Sequence, residues 1–156
     1  MDVTMNWAGG MAFDGVGPSG FVQHLDSDVN SGGQNSGVRP MELIAMGLAG
    51  CTGMDVISIL NKKKQIVTGF QVNVHAERAG DHPKVFTQSV IEYVVHGTNI
   101  DENAVRRAIE LSVEKYCPAH AMLSKAFPIR LVYKVFEAAT TELACEGEFI
   151  HKKTGE

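Results

Sequence analysis

Apolar residues surround the chain on nearly every side between Leu43 and Leu60, with Asp55 and Ser58 as interruptions. Pro40 suits the first turn of a helix, and Glu42 falls in that turn, where a negative charge meets the positive end of the helix dipole. The pattern predicts a helix from Pro40 to about Asn61, roughly 33 Å long. A helix that is apolar all round must be covered all round. Gly47, Gly50 and Gly53 recur at every third residue within it. Each costs roughly 1 kcal/mol against alanine, so close approach of another helix or strand is expected on that face.

Elsewhere the period is two. Val3, Met5 and Trp7 alternate, Gly9-Gly10 turns the chain, and Met11 and Phe13 alternate again before Gly15-Val16-Gly17-Pro18 breaks the pattern ahead of Phe21-Val22. Ser27 to Gly37 is loop by composition, flexible unless something packs on it. Val67 to Glu77 and Val85 to His96 read as long strands joined through Asp81-His82-Pro83. Asp101 and its neighbours cap a helix from about Glu102 to Tyr116 with Val105, Ile109 and Val113 on its buried face. Pro118 ends it, a short helix from Ala119 to Ala126 follows, and Ile129 to Phe136 alternates as a strand.

The order is β-β-α-β-β-α-α-β, an α+β arrangement. Residues 1–137 read as one domain, and 138–156 as a C-terminal extension of weak pattern, partly mobile. A chain this small has difficulty sheathing a helix apolar all round, so a homodimer with a large apolar interface is expected.

The composition narrows the function classes. A 156-residue chain with 44% hydrophobic and 21% charged residues is ordinary for a globular protein. A net charge of -4 argues against nucleic acid as the main partner. Lys62-Lys63-Lys64 reads as cations at a helix end. The N-terminus lacks the basic and apolar runs of a secretory signal, and the long apolar segment reads as a core helix rather than a membrane span. A cytoplasmic protein is expected. Three cysteines in that setting point to redox, catalytic or buried thiols rather than a disulfide framework.

Taken singly, the cysteines leave alternatives open. Cys51, among glycines and alanines, fits a small buried hydrophobe as well as a reactive thiol. Cys117 precedes Pro118 and so falls near the N-cap of the next helix, where the macrodipole favours thiolate; an ordinary boundary cysteine fits equally. Cys117-Pro-Ala-His120 is half of a metal site at most, with no second pair to complete it, so no metal is expected. A Cys–His hydrolase with His120, His75 or His96 as base is a further reading, with only lone histidines behind it. Cys145 reads as an exposed bystander.

Two longer motifs change this balance. Arg39-Pro-Met-Glu-Leu-Ile-Ala-Met-Gly-Leu-Ala-Gly-Cys51-Thr-Gly-Met-Asp-Val56 resembles the first cysteine motif of the OsmC/Ohr family, the osmotically inducible and organic hydroperoxide resistance proteins. Leu111-Ser-Val-Glu-Lys-Tyr-Cys117-Pro118 resembles its second. The likeness runs from Pro40 to Phe136. It implies an intertwined homodimer with two sheets around central helices, and a thiol peroxidase that reduces organic hydroperoxides. Cys51 would be the peroxidatic thiol and Cys117 the resolving one. No bound cofactor is implied, only an external dithiol that reopens the Cys51–Cys117 disulfide. The alternative is a non-enzymatic or weakly active member that binds an apolar ligand at the dimer interface, with Met41, Met46, Met54 and Met122 as adaptable lining.

In one respect the sequence departs from the family pattern. Members activate the first cysteine with an arginine held by a glutamate, and that arginine comes from the N-terminal region. Residues 1–38 contain no arginine. Arg39 and Glu42 are the nearest candidates for activation. Nine residues separate Glu42 from Cys51, a net half-turn and about 13.5 Å along one helix, so help from this pair must come across a dimer or through a bent loop. The departure suggests a less characterised branch of the family.

Overall fold

In a computed structural model of the protein, residues 1–149 are described; residues 150–156, the end of the extension read as partly mobile, lie outside the described residues. The chain divides into two compact units, Met1–Ala45 and Met46 onward.

The N-terminal unit is a three-stranded antiparallel meander of β1 (Thr4–Gly9), β2 (Ala12–Val16) and β3 (Val22–Leu25). Gly9 and Gly10 both adopt positive φ, which only glycine does cheaply, and they close the first hairpin. The polar loop after β3 is organised around one carboxylate. Asp26 accepts the backbone N–H of Ser27 at 2.7 Å, of Gln34 at 2.8 Å and of Ser36 at 3.1 Å, together with the Ser36 hydroxyl at 2.8 Å. These four donors hold the Asp26 carboxyl well below the usual carboxylate range, the backbone bonds contributing most. The packing that the loop required is thus supplied from within.

The boundary between units falls inside α1 (Pro40–Lys62). In the second unit α1 is followed by β4 (Ile66–Arg78), β5 (Phe86–Thr98), α2 (Glu102–Leu111), a π-helical turn (Ser112–Tyr116), α3 (Pro118–Leu123), β6 (Ile129–Glu137) and β7 (Leu143–Phe149). The strands form one sheet in that order, antiparallel except for the β5–β6 pair, which the α2–α3 crossover makes parallel. Ile91, Tyr93 and Val95 of β5 stand opposite Leu131, Tyr133 and Val135 of β6, all buried. Against that face pack Val56 and Leu60 of α1 and Ala104, Val105, Ala108 and Ile109 of α2. Asp101 caps α2 by accepting the Asn103 N–H at 2.9 Å.

The fold is therefore α+β with two sheets and helices, as expected, and the core strands and helices fall close to their predicted bounds. Two strands are additional. β3 extends the first sheet. β7 comes from the extension read as weakly patterned, and it pairs along β6 from Leu131 to Phe136. It also corrects the placement of Cys145, which stands opposite Val135 and packs half-buried against the core rather than exposed. Burial, then the charge of Glu102, raises that thiol's pKa.

Helix α1 departs from the expectation of burial on all sides. Leu48, Thr52, Gly53, Val56 and Leu60 are buried, but Leu43, Ile44, Met46 and Met54 are exposed. The glycine run divides in the same way. A Cβ at Gly53 would lie 3.2 Å from Val72 Cγ2, so β4 makes the expected close approach there. At Gly47 and Gly50 nothing lies within 4 Å. Ala49, Gly50, Gly53, Met54, Ile57, Phe70 and Val72 together line an open apolar groove.

Candidate dithiol site

Cys51 lies in the middle of α1, its neighbour Thr52 turned into the core. Cys117 is presented by a different device. At Ser112 the hydrogen bonding of α2 widens from α to π, and the last bond of that turn runs from the Cys117 N–H to the Ser112 carbonyl at 2.7 Å. Such single π turns inside helices often mark functional positions. The chain then reverses at Cys117, which is extended and serves as N-cap of α3, with Pro118 at the first helical position. The Cys117 sulfur accepts the His120 N–H at 3.3 Å.

These elements bring the two thiols into contact. Cys117 Sγ donates to Cys51 Sγ at 3.1 Å. A disulfide needs about 2.0 Å, so the pair lies roughly 1 Å short of a bond. Cys117 is 2% exposed, Cys51 half-buried. The helix-start position of Cys117 does not make it a thiolate. Burial dominates and pushes its pKa up to about 12, against the His120 N–H that favours the anion, with the Cys51 thiol and Asp55 pushing the same way as burial. The geometry thus holds Cys117 as a protonated donor aimed at Cys51.

Behind the thiols runs a buried chain of hydroxyls that the sequence did not disclose. Thr52 Oγ1 lies 2.6 Å from Tyr93 Oη and 2.9 Å from Ser112 Oγ, and Ser112 donates to Asp55 Oδ2 at 3.0 Å. Each hydroxyl has one proton. Since that of Ser112 goes to Asp55, Thr52 must donate to Ser112 and Tyr93 to Thr52. The chain runs one way, Tyr93 to Thr52 to Ser112 to Asp55. Burial raises the Tyr93 pKa, so its phenol stays a donor. The only sequence signal was a hydroxyl residue at a buried position in each of two helices. Asp55 also lines a cleft of about 280 Å³ with Ser58, Ile59, Lys62, Leu111 and Tyr116.

Arg39 and Glu42 belong to the N-terminal unit, and there they bind each other. Glu42 accepts the Arg39 N–H at 3.1 Å and its guanidinium at 3.4 Å, while the guanidinium also donates to Asn35. The backbone contact is one half of a capping box, so Glu42 closes the start of α1. Both side chains are partly exposed. Among the described residues no three His, Cys, Asp or Glu side chains converge as metal ligands would.

Two thiols in contact, one from a long helix and one from a helix break on an α+β scaffold, define a candidate dithiol protein. A family model described as OsmC-like protein matches residues 33–132, which include both cysteines. Protein YhfA of Escherichia coli (strain K12) is 37% identical over 138 residues, covering 88% of this chain and all of its own. A crystal structure of a hypothetical protein from Aquifex aeolicus VF5 superposes with a TM-score of 0.76 at 28% identity, over 87% of this chain and 96% of that one. The organic hydroperoxide resistance protein OhrB of Bacillus subtilis shares the fold, with a TM-score of 0.58 at 18% identity over 85% of this chain and 96% of its own. The chain belongs to the OsmC-like protein family.

Proposed function

We propose that the protein is a thiol-dependent peroxidase that reduces organic hydroperoxides through Cys51 and Cys117. The observation that carries this reading is the 3.1 Å contact between the two thiols inside the family-matched region. The likeness to proteins named for organic hydroperoxide resistance supports the substrate class.

The Cys51 thiolate attacks the terminal oxygen of R–O–O–H. The O–O bond breaks, the alkoxide leaves and takes up a proton as the alcohol, and Cys51 becomes a sulfenic acid. The Cys117 sulfur then attacks the Cys51 sulfur; hydroxide leaves with the Cys117 proton as water, and a disulfide remains. This closure protects Cys51 from irreversible over-oxidation. An external dithiol reopens the disulfide by exchange, becoming a disulfide itself, and no bound cofactor or metal takes part. Arg39 and Glu42, which pair with each other, are carried from the family resemblance as the candidates for activating Cys51, to act across the dimer or through a bent loop.

The protein works as a homodimer in the cytoplasm, without nucleic acid or membrane as partner. The exposed apolar side of α1 and the groove beside it support the dimer, since a second copy covers what one chain leaves open. The test is turnover. With a dithiol present, the protein should consume an organic hydroperoxide catalytically, and Cys51→Ser should abolish consumption. A protein that only bound an apolar ligand in the groove would show no difference between the two.

A further inference from the structure

We propose that Thr52 and Ser112, linked in the one-way chain from Tyr93 to Asp55, are positioning residues that hold the π-helical turn against α1 and so set the gap across which Cys51 and Cys117 form their disulfide. The inference rests on reading these cysteines as a redox pair, and it assigns roles to residues that do not themselves react.

Ser112 is engaged twice. Its carbonyl accepts the Cys117 N–H at 2.7 Å and fixes where the second thiol leaves the turn. Its hydroxyl accepts from Thr52 at 2.9 Å and donates to Asp55 at 3.0 Å, both on α1, the helix that carries Cys51. Thr52 adjoins Cys51, and its hydroxyl also receives the Tyr93 phenol at 2.6 Å from β5. The element bearing one thiol is thereby tied to the element bearing the other. Thr52, Ser112 and Tyr93 are each completely buried, so every missing link leaves a polar group without water to replace it. The direction of the chain adds specificity. Asp55 accepts the last hydrogen bond, leaving a single arrangement of the hydroxyls and a single seat for the turn.

The remaining gap explains why such a clamp matters. The sulfurs must close by roughly 1 Å to bond, and a misplacement of that size can cost about a hundredfold in rate. A π turn is also a less regular way to end a helix than an α turn, so its position needs support from side chains.

The experiment uses diamide, whose N=N bond takes up two hydrogens from two thiols as one S–S bond forms. Disulfide closure is thus read without any peroxide chemistry. Samples are quenched with N-ethylmaleimide at intervals, and the Cys51–Cys117 disulfide is measured by peptide mapping in the full-length protein. Thr52→Val keeps the shape and removes the hydroxyl; its closure should slow by roughly tenfold to a hundredfold. Thr52→Ser keeps the hydroxyl and should close at nearly the rate of the unmodified protein. Recovery in the serine variant separates positioning from packing. If Thr52→Val does not fold, Ser112→Ala carries the same test. Closure at an unchanged rate in a folded valine or alanine variant overturns the proposal, as does equal slowing in Thr52→Ser. If peroxide leaves the thiols untouched while diamide gives this pattern, the peroxidase reading fails and the positioning role stands.

Discussion

Cys117 donates its thiol hydrogen to Cys51 across 3.1 Å, and it is the more deeply buried of the two. In the proposed cycle Cys117 resolves the Cys51 sulfenic acid, and its proton passes to the departing hydroxide as the S–S bond forms. Burial that holds the Cys117 thiol neutral also restricts its reactions with small electrophiles.

That burial has a consequence for stability. Ionisation of Cys117 is moved from 9.0 to about 12 in the folded state. A folded-state value above the unfolded one means a contribution fully present below pH 9.0 and lost as pH rises through about 12. Cys117→Ala lacks this titration. Its urea midpoint should therefore fall less steeply than the parent's over the alkaline range, and parallel profiles would show that Cys117 is not held as described.

Gly147 of β7 stands opposite Tyr133, whose hydroxyl is fixed by Glu102. A Cβ at Gly147 would lie 2.4 Å from that oxygen and 2.7 Å from the ring carbon bearing it. The ring cannot yield without losing its hydrogen bond. Gly147→Ala should destabilise the protein by about 1–3 kcal/mol in urea unfolding.

Gly50 tests the dimer. Within one chain its Cβ position is open, so alanine should stabilise the isolated chain by up to about 1 kcal/mol. In the proposed dimer a second copy covers this face, and the added methyl would intrude on it. Gly50→Ala should raise the dissociation constant measured by sedimentation on dilution. A gain in stability with unchanged association would mean that partners do not meet at this face.

Asp26 tests the loop. Its carboxyl is depressed by four donors, so its contribution is present above the ordinary value of 3.8 and disappears as pH falls through the lower folded one. Asp26→Asn keeps the shape but removes the charge and one set of acceptor sites. Hydrogen exchange at the Gln34 and Ser36 amides should accelerate in the variant, and unchanged exchange would deny the carboxylate its organising role.

Most of the second unit was legible because its burial is regular. Phe70, Val72 and Val74 alternate on β4, Ile91, Tyr93 and Val95 on β5, and Val105, Ile109 and Val113 follow the helical period. The short strand Val22-Gln-His-Leu was not legible, since four half-polar residues carry little period. β7 was missed for a related reason: its alternating residues, Cys145, Gly147 and Phe149, include a glycine and are only half-buried. The π turn leaves no mark, because the same residues pattern as ordinary helix until a carbonyl is seen bonding five positions on. The hydroxyl chain joins residues 41 and 60 positions apart, a proximity that only the fold creates. By contrast the cap position of Cys117 followed directly from Pro118, while its ionisation did not, because burial outweighs the cap.

A non-reducing peptide map, taken after a stoichiometric pulse of organic hydroperoxide and rapid alkylation, tests the Cys51–Cys117 redox pair most directly. The Cys51 and Cys117 peptides should be joined, with Cys145 alkylated, and Cys51→Ser should show no such link. Recovery of both thiols as alkylated peptides, or of Cys51 joined to Cys145, would contradict it.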